Sequence, residues 1–233
     1  MSEELNFIYN NCDRIRERMS AAARRAGRDP ADVKLIAVSK TVDPDRIRKA
    51  LEWGIADLGE NRVQELCDKA DILDGGFRWH LIGHLQTNKV KYIIDKVGMI
   101  HSLDRMELAE EIQKRAEKAG RVVEALVQVN VAAEDTKFGI SPEEALGFIR
   151  NVAEMGNIKI KGLMTIAPLA ESPEEVRWVF AGLRKLLIDI RKENIDNIDM
   201  DCLSMGMSND FEVAIEEGAT MVRIGTALFG KRS

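Results

Sequence analysis

Along this chain, eight short runs rich in apolar and β-branched residues alternate with stretches whose apolar residues recur at helical spacing. The runs are Val33–Lys40, Ala56–Glu60, Arg78–Gly83, Met99–Leu103, Val122–Val131, Ile158–Thr165, Met200–Ser204 and Ala219–Gly225. In Val33-Lys34-Leu35-Ile36-Ala37-Val38 every residue but Lys34 is apolar, as expected of a strand covered on both faces, the condition of strands in a parallel sheet. Strands joined through helices run parallel, and eight of them close into a (β/α)8 barrel, the TIM-barrel form of the α/β class. No Pro/Gly/Ser-rich linker, charge block or fixed-period repeat divides the 233 residues, so one domain over 1–233 is expected. An open doubly wound sheet is the competing fold. It would ordinarily carry a glycine-rich phosphate loop after its first strand, and Ser39-Lys40-Thr41 is not one.

An extra helix precedes the first strand: Leu5, Ile8, Cys12, Ile15, Met19 and Ala22 or Ala23 fall on one face, and Gly27 supplies the stop. Later helix starts are signalled by Asp43-Pro44, by Asp104 as an N-cap, by Ser141-Pro142-Glu143-Glu144, by Ser172-Pro173-Glu174-Glu175 and by Ser208 as a cap. Another helix is expected around Lys89 to Ile94. Glu174 and Glu175 suit a first helical turn, whereas Glu216 and Glu217 at a helix end read as solvated.

A net charge of -5 leaves no basic excess to neutralise phosphates, which argues against a nucleic-acid binder. The basic clusters Arg14 to Arg18 and Arg24 to Arg28 read as solvated helix surface. Cys12, Cys67 and Cys202 form an odd set without metal-ligand spacing, which suggests a reducing compartment and no disulfide framework. The acidic start Met1-Ser2-Glu3-Glu4 is unlike a signal peptide, and no apolar run reaches transmembrane length, so no membrane role and a cytoplasmic location are expected.

In a parallel barrel the carboxyl ends of the strands share one mouth, where ligands bind. Here those ends carry Lys40, Asn61, Gly83-His84, Ser102, Asn130, Met164-Thr165, Ser204 to Gly206 and Arg223 to Gly225. A desolvated amine such as that of Lys40 sheds its proton readily and can attack a carbonyl to form an imine. A solvated lysine at a strand end is the plain alternative. Ser204-Met205-Gly206-Met207-Ser208 and Arg223-Ile224-Gly225-Thr226 place small residues and hydroxyls at the turns after the last two strands, the usual phosphate site of a barrel. An imine-forming lysine opposite a phosphate cradle suggests pyridoxal 5'-phosphate, which needs both.

Ala37-Val38-Ser39-Lys40, Gly59-Glu60-Asn61-Arg62-Val63-Gln64-Glu65, Trp79 to Lys89, Gly162-Leu163-Met164-Thr165, Leu203 to Asp210 and Val222 to Thr226 closely resemble the pyridoxal phosphate homeostasis protein family, which is related in fold to the amino-terminal barrel of alanine racemase. The resemblance covers essentially the whole chain. It implies a Schiff base between cofactor and Lys40, a phosphate held by Ser204, Ser208, Gly225 and Thr226, Asn61 beside the ring and Arg223 facing the pyridine nitrogen. A fixed cation there disfavours protonation of the ring nitrogen and weakens the cofactor as an electron sink. His84 is open between stacking on the ring and bonding a backbone group. His80 reads as a satisfied core residue, and Gln64, Gln86, Asn88 and Lys89 as the rim.

Racemisation needs two bases on opposite faces of the imine, and Lys40 is one. The related racemases take the second, a tyrosine, from an additional β-domain, whereas Tyr9 and Tyr92 here fall on expected helices. A monomeric cofactor carrier involved in vitamin B6 homeostasis, supplying apo-enzymes and without efficient turnover, is therefore expected. An amino-acid racemase is the alternative, and a cofactor-free lysine aldolase a third reading.

Overall fold

The structure, a computed structural model, describes residues 3–134 and 138–230, with the backbone alone over 3–6. The eight strands are β1 (Lys34–Val38), β2 (Asp57–Glu60), β3 (Arg78–Leu81), β4 (Met99–Leu103), β5 (Val123–Gln128), β6 (Ile158–Met164), β7 (Ile198–Ser204) and β8 (Met221–Ile224). They pair in chain order, all parallel, and β8 returns to β1 with Leu35 opposite Val222 and Ala37 opposite Ile224. The sheet is therefore a closed barrel, and the open doubly wound alternative falls.

Closure explains the nearly unbroken apolar runs. Along β1, Ile36 faces inward with Met99, Leu126, Met164 and Met221, while Ala37 faces outward into the larger core beneath the helices. A strand with both faces dry has no use for alternation. Each fully buried aliphatic side chain contributes about 1.5–3 kcal/mol.

The helices are α1 (Glu3–Arg25), α2 (Pro44–Trp53), α3 (Val63–Ala70), α4 (Met106–Lys118), α5 (Pro142–Ala153), α6 (Arg177–Lys192), α7 (Phe211–Glu216) and α8 (Thr226–Phe229). The expected extra helix α1 buries Ile8, Cys12, Ile15, Met19, Ala22 and Ala23 and packs on α2, α7 and α8. Ser141 and Glu144 form a complete capping box on α5. Ser172-Pro173-Glu174-Glu175 opens a 3-10 turn, Pro173–Val176, that leads into α6.

Four local expectations are corrected. The segment after β3 is a 3-10 turn, Thr87–Tyr92, and not an α-helix, with Ile93 N–H bonding back to Val90 O. Asp104 does not cap α4: Arg105 is the N-cap residue, and the Asp104 carboxylate takes the Arg105 guanidinium at 2.6 Å. Ser208 does not cap α7, because the Asp210 carboxylate accepts Met207 N–H at 2.5 Å and holds 207–210 as a turn, so that the helix begins at Phe211. Glu216 and Glu217 are not merely solvated, since both pair with Arg177, at 2.7 and 2.8 Å. Among the described residues no helix is long and apolar enough to cross a membrane, and no group of three side chains could hold a metal ion. The three cysteines are free thiols.

Candidate functional site

A cavity of about 950 Å³ opens at the carboxyl ends of the strands. Lys40, Asn61, Ser208, Arg223, Gly225 and Thr226 all line it, so six of the seven expected site residues share one space.

Lys40 follows β1 in a turn whose backbone is fixed on both sides. Ser39 N–H bonds Gly59 O at 3.0 Å, and the Ser39 hydroxyl donates to Glu60 Oε1 at 2.7 Å. Lys69, on the buried stripe of α3, donates from Nζ to Ser39 O at 2.5 Å, to Glu60 Oε1 at 2.7 Å and to Glu65 Oε1 at 2.8 Å. Glu65 also accepts Thr41 N–H. Thr41 itself sits at φ 60, a left-handed conformation that costs a β-branched residue about 1–2 kcal/mol and persists where its surroundings impose it. Burial pushes the Glu60 carboxyl up against the opposing pull of Lys69, and its second oxygen has no hydrogen-bond partner among the described residues. The residues on either side of Lys40 are thus tied to a buried ion cluster, while Lys40 itself lines the cavity.

Asn61 follows β2, and Gly83 packs so closely on it that a Cβ at 83 would lie 2.3 Å from Asn61 O. The side-chain oxygen of Asn61 is buried at the cavity and has no partner among the described residues, the mark of a group that awaits one.

The far wall comes from the last two turns. Gly206 takes φ 90, and a Cβ there would meet Ala214 and Phe211, so the β7–α7 turn needs glycine. Ser208 Oγ accepts Ala227 N–H at 3.4 Å and so joins this turn to α8. Gly225 and Thr226 complete the cradle, with Asp210 beside them. Burial raises the Asp210 carboxyl, opposed by its bond to Met207 N–H and by Arg223.

Ser204 departs from expectation. Its hydroxyl does not line the cavity; it lies fully buried beneath it, accepting from Arg223 Nη1 at 2.7 Å and meeting His101 Nδ1 at 2.9 Å. Ser204 is the last residue of β7 and lies level with Met221 on β8, two residues before Arg223. Arg223 also donates from Nη2 to Thr165 O at 2.8 Å and is only 4% exposed. Burial lowers its pKa to about 10, which leaves it a cation at neutral pH.

Ser102 is buried away from the cavity, and Asn130 bonds Glu134 O. His84 stacks on Phe138 with ring centroids 3.9 Å apart and does not line the cavity. His80 is, as expected, a satisfied core residue. Two features were not foreseen. The segment 166–173 between β6 and α6 forms one wall, and Arg18, read as solvated helix surface, reaches the cavity from α1, pairing with Glu212 at 2.8 Å and lying over the Phe211 ring. Nothing in the periodicity of α1 distinguishes Arg18 from its solvated neighbours.

Comparison with known proteins accords with this geometry. The family model described as alanine racemase, N-terminal domain, matches residues 10–233. The pyridoxal phosphate homeostasis protein of Aquifex aeolicus (strain VF5) is 51% identical over 227 residues, covering 96% of this chain and 99% of that protein. That of Escherichia coli (strain K12) is 38% identical, covering 98% of each. The chain belongs to the pyridoxal phosphate homeostasis protein family, within the alanine racemase N-terminal domain family. Among solved structures of this fold, PipY of Synechococcus elongatus PCC7942, solved with PLP bound, superimposes with a TM-score of 0.80 at 35% identity, over 93% of this chain and all of that one. An unknown protein from Bifidobacterium adolescentis reaches 0.93 at 34%, over 98% of this chain and 97% of its own. Alanine racemase from Corynebacterium glutamicum shares the fold at 17% identity and a TM-score of 0.73; the match covers 98% of this chain and 62% of that enzyme.

Proposed function

We propose that this chain binds pyridoxal 5'-phosphate at the barrel mouth, holds it as a Schiff base on Lys40, and serves vitamin B6 homeostasis by storing the cofactor and handing it to apo-enzymes. The carrying observation is that one cavity joins the Lys40 amine to a hydroxyl- and glycine-lined wall at the last two turns, with a buried cation beside them. The partnerless oxygen of Asn61 fits a polar ligand, and the Gly225 wall fits a bulky anion, since a Cβ there would crowd Val38 O at 3.1 Å. The PLP-bound relative PipY and the names of the homeostasis proteins support the same ligand.

When bound, the group supplies an aldehyde and an aromatic ring able to delocalise charge. Lys40 holds the aldehyde carbon, Ser208, Gly225 and Thr226 hold the phosphate, and Arg223 places a fixed positive charge at the ring nitrogen. That charge opposes ring protonation, which suits retention better than amino-acid chemistry. Neither Tyr9 nor Tyr92 lines the cavity, so neither stands ready as a second base. The same reading has the chain act as a cytoplasmic monomer.

The test pairs two assays on the loaded chain. Transfer of cofactor to an apo-enzyme, with no exchange of deuterium at the α-carbon of alanine, is expected; full-turnover exchange would contradict the carrier reading in favour of a racemase. Lys40→Ala should lose the yellow absorbance yet still retain phosphate-bearing ligand weakly.

A further inference from the structure

Beneath the cavity a line of polar side chains crosses the otherwise apolar barrel. Arg223 Nη1 donates to Ser204 Oγ at 2.7 Å, Ser204 Oγ meets His101 Nδ1 at 2.9 Å, His101 Nε2 meets His80 Nδ1 at 2.9 Å, and His80 Nε2 meets Asp57 Oδ1 at 2.8 Å. Asp57 is the first residue of β2, so the line runs from the opposite end of the barrel to the cavity. Ser204, His80 and His101 are wholly buried among Ile36, Met99, Leu126 and Met221. Three polar side chains in such a place, with the buried Arg223 guanidinium above them, are costly unless each is satisfied.

With both rings neutral, one arrangement satisfies them all. A guanidinium can only donate and a carboxylate can only accept. His80 Nε2 must therefore carry the hydrogen that faces Asp57, which leaves Nδ1 of a neutral ring bare. His101 Nε2 must then donate to it, and the bare His101 Nδ1 takes the Ser204 hydroxyl hydrogen. That leaves the Ser204 lone pairs for Arg223. Every hydrogen points from Arg223 toward Asp57, and both imidazoles have one donor and one acceptor, each used. Burial lowers the pKa of both rings; Arg78 and Lys34 add to this at His80, where Asp57 opposes, and His80, Arg223 and Arg78 add to it at His101.

We propose that Asp57, His80, His101 and Ser204 form a one-way hydrogen-bonded line that positions Arg223, fixing which of its N–H groups stay below the cavity floor and which face the ligand. The proposal rests on the reading that Arg223 faces the cofactor ring. The four are positioning residues, and a change at Asp57 should be felt at the mouth through side chains that never touch the ligand.

Two measurements test it on the full chain. In long-range ¹H–¹⁵N spectra of histidine-labelled protein, His80 and His101 should both carry hydrogen on Nε2 alone from about pH 6 to about pH 8; a cation or an Nδ1–H form of either ring would overturn the proposal, and this needs no variant to fold. Affinity for 4'-deoxypyridoxine 5'-phosphate, which has no aldehyde and so does not depend on Lys40, gives the second. Asp57→Leu should weaken it about tenfold, whereas Asp57→Asn, which still offers an oxygen to His80, should stay within about twofold of wild type. Equal affinity in Asp57→Leu and wild type would overturn it. If wild type does not bind this compound, the cofactor reading fails, and the histidine spectra still decide the line.

Discussion

The two ends of the barrel use their polar groups differently. At the amino-terminal end Arg78 pairs with Glu124, Asp199 takes Lys159 at 3.2 Å and Lys161 at 2.7 Å, and Asp57 takes His80. Opposite charges meet there across neighbouring strands, and from β3 past β4 to β5 in the Arg78–Glu124 pair, and close that end. At the carboxyl end Asn61 keeps an oxygen with no partner among the described residues, and Lys40 and the hydroxyls of Ser208 and Thr226 border open volume. Cancelled charge makes a plug, whereas groups turned toward a cavity make a binding site. The Arg223 line and the Lys69 cluster join the two regimes, because each ties a mouth residue to paired groups behind it.

The comparison breaks first, if it breaks, at Lys69. Removing its cation in Lys69→Met strands Glu60 and should cost about 3 kcal/mol at neutral pH, read from denaturant unfolding. Burial already holds the Glu60 pKa above its unfolded value, and the loss of Lys69 raises it further. A carboxyl raised in the folded state costs stability as pH climbs from its unfolded value to its folded one, so the deficit should shrink on acidification. Glu60→Gln in the same chain should recover much of it. A deficit independent of pH would mean that Lys69 acts by packing alone.

Next in size is the phosphate wall. Gly225→Val forces side-chain atoms against Val38 O and into the cradle, and should reduce affinity for pyridoxal 5'-phosphate by more than about tenfold in equilibrium dialysis. Ser208→Ala removes one hydroxyl and should reduce it about fivefold, with little change in the rate of borohydride trapping at saturating ligand. Smallest is Arg18→Ala at the rim: the guanidinium is part-exposed and paired with Glu212, so affinity should fall by about twofold, an effect that about 0.5 M salt should erase.

The fold was legible because a closed parallel barrel writes itself as apolar runs at regular intervals, and all eight strands fall within or close to the expected runs. Lys40, Asn61, Ser208, Arg223, Gly225 and Thr226 were legible because strand ends share a mouth. Cap geometry was not: the side chain that seizes the 207 N–H is Asp210 and not Ser208, a competition that spacing does not decide. Ser204 lies buried off the cavity, and only strand tilt and closure set that depth. Lys69 did carry a signal, since it falls on the stripe of Leu66 and Leu73, where a cation must be paired if it is buried. The alternation of Met221, Arg223 and Gly225 likewise marks an inward face. The pairing of His80 with His101, 21 residues apart, had none.

The most direct measurement is to mix the full chain with pyridoxal 5'-phosphate, reduce with borohydride, digest and locate the added mass. Modification confined to the peptide bearing Lys40, and lost in Lys40→Ala, is the predicted result. A label on another lysine, or none with the ligand still bound, would contradict the account.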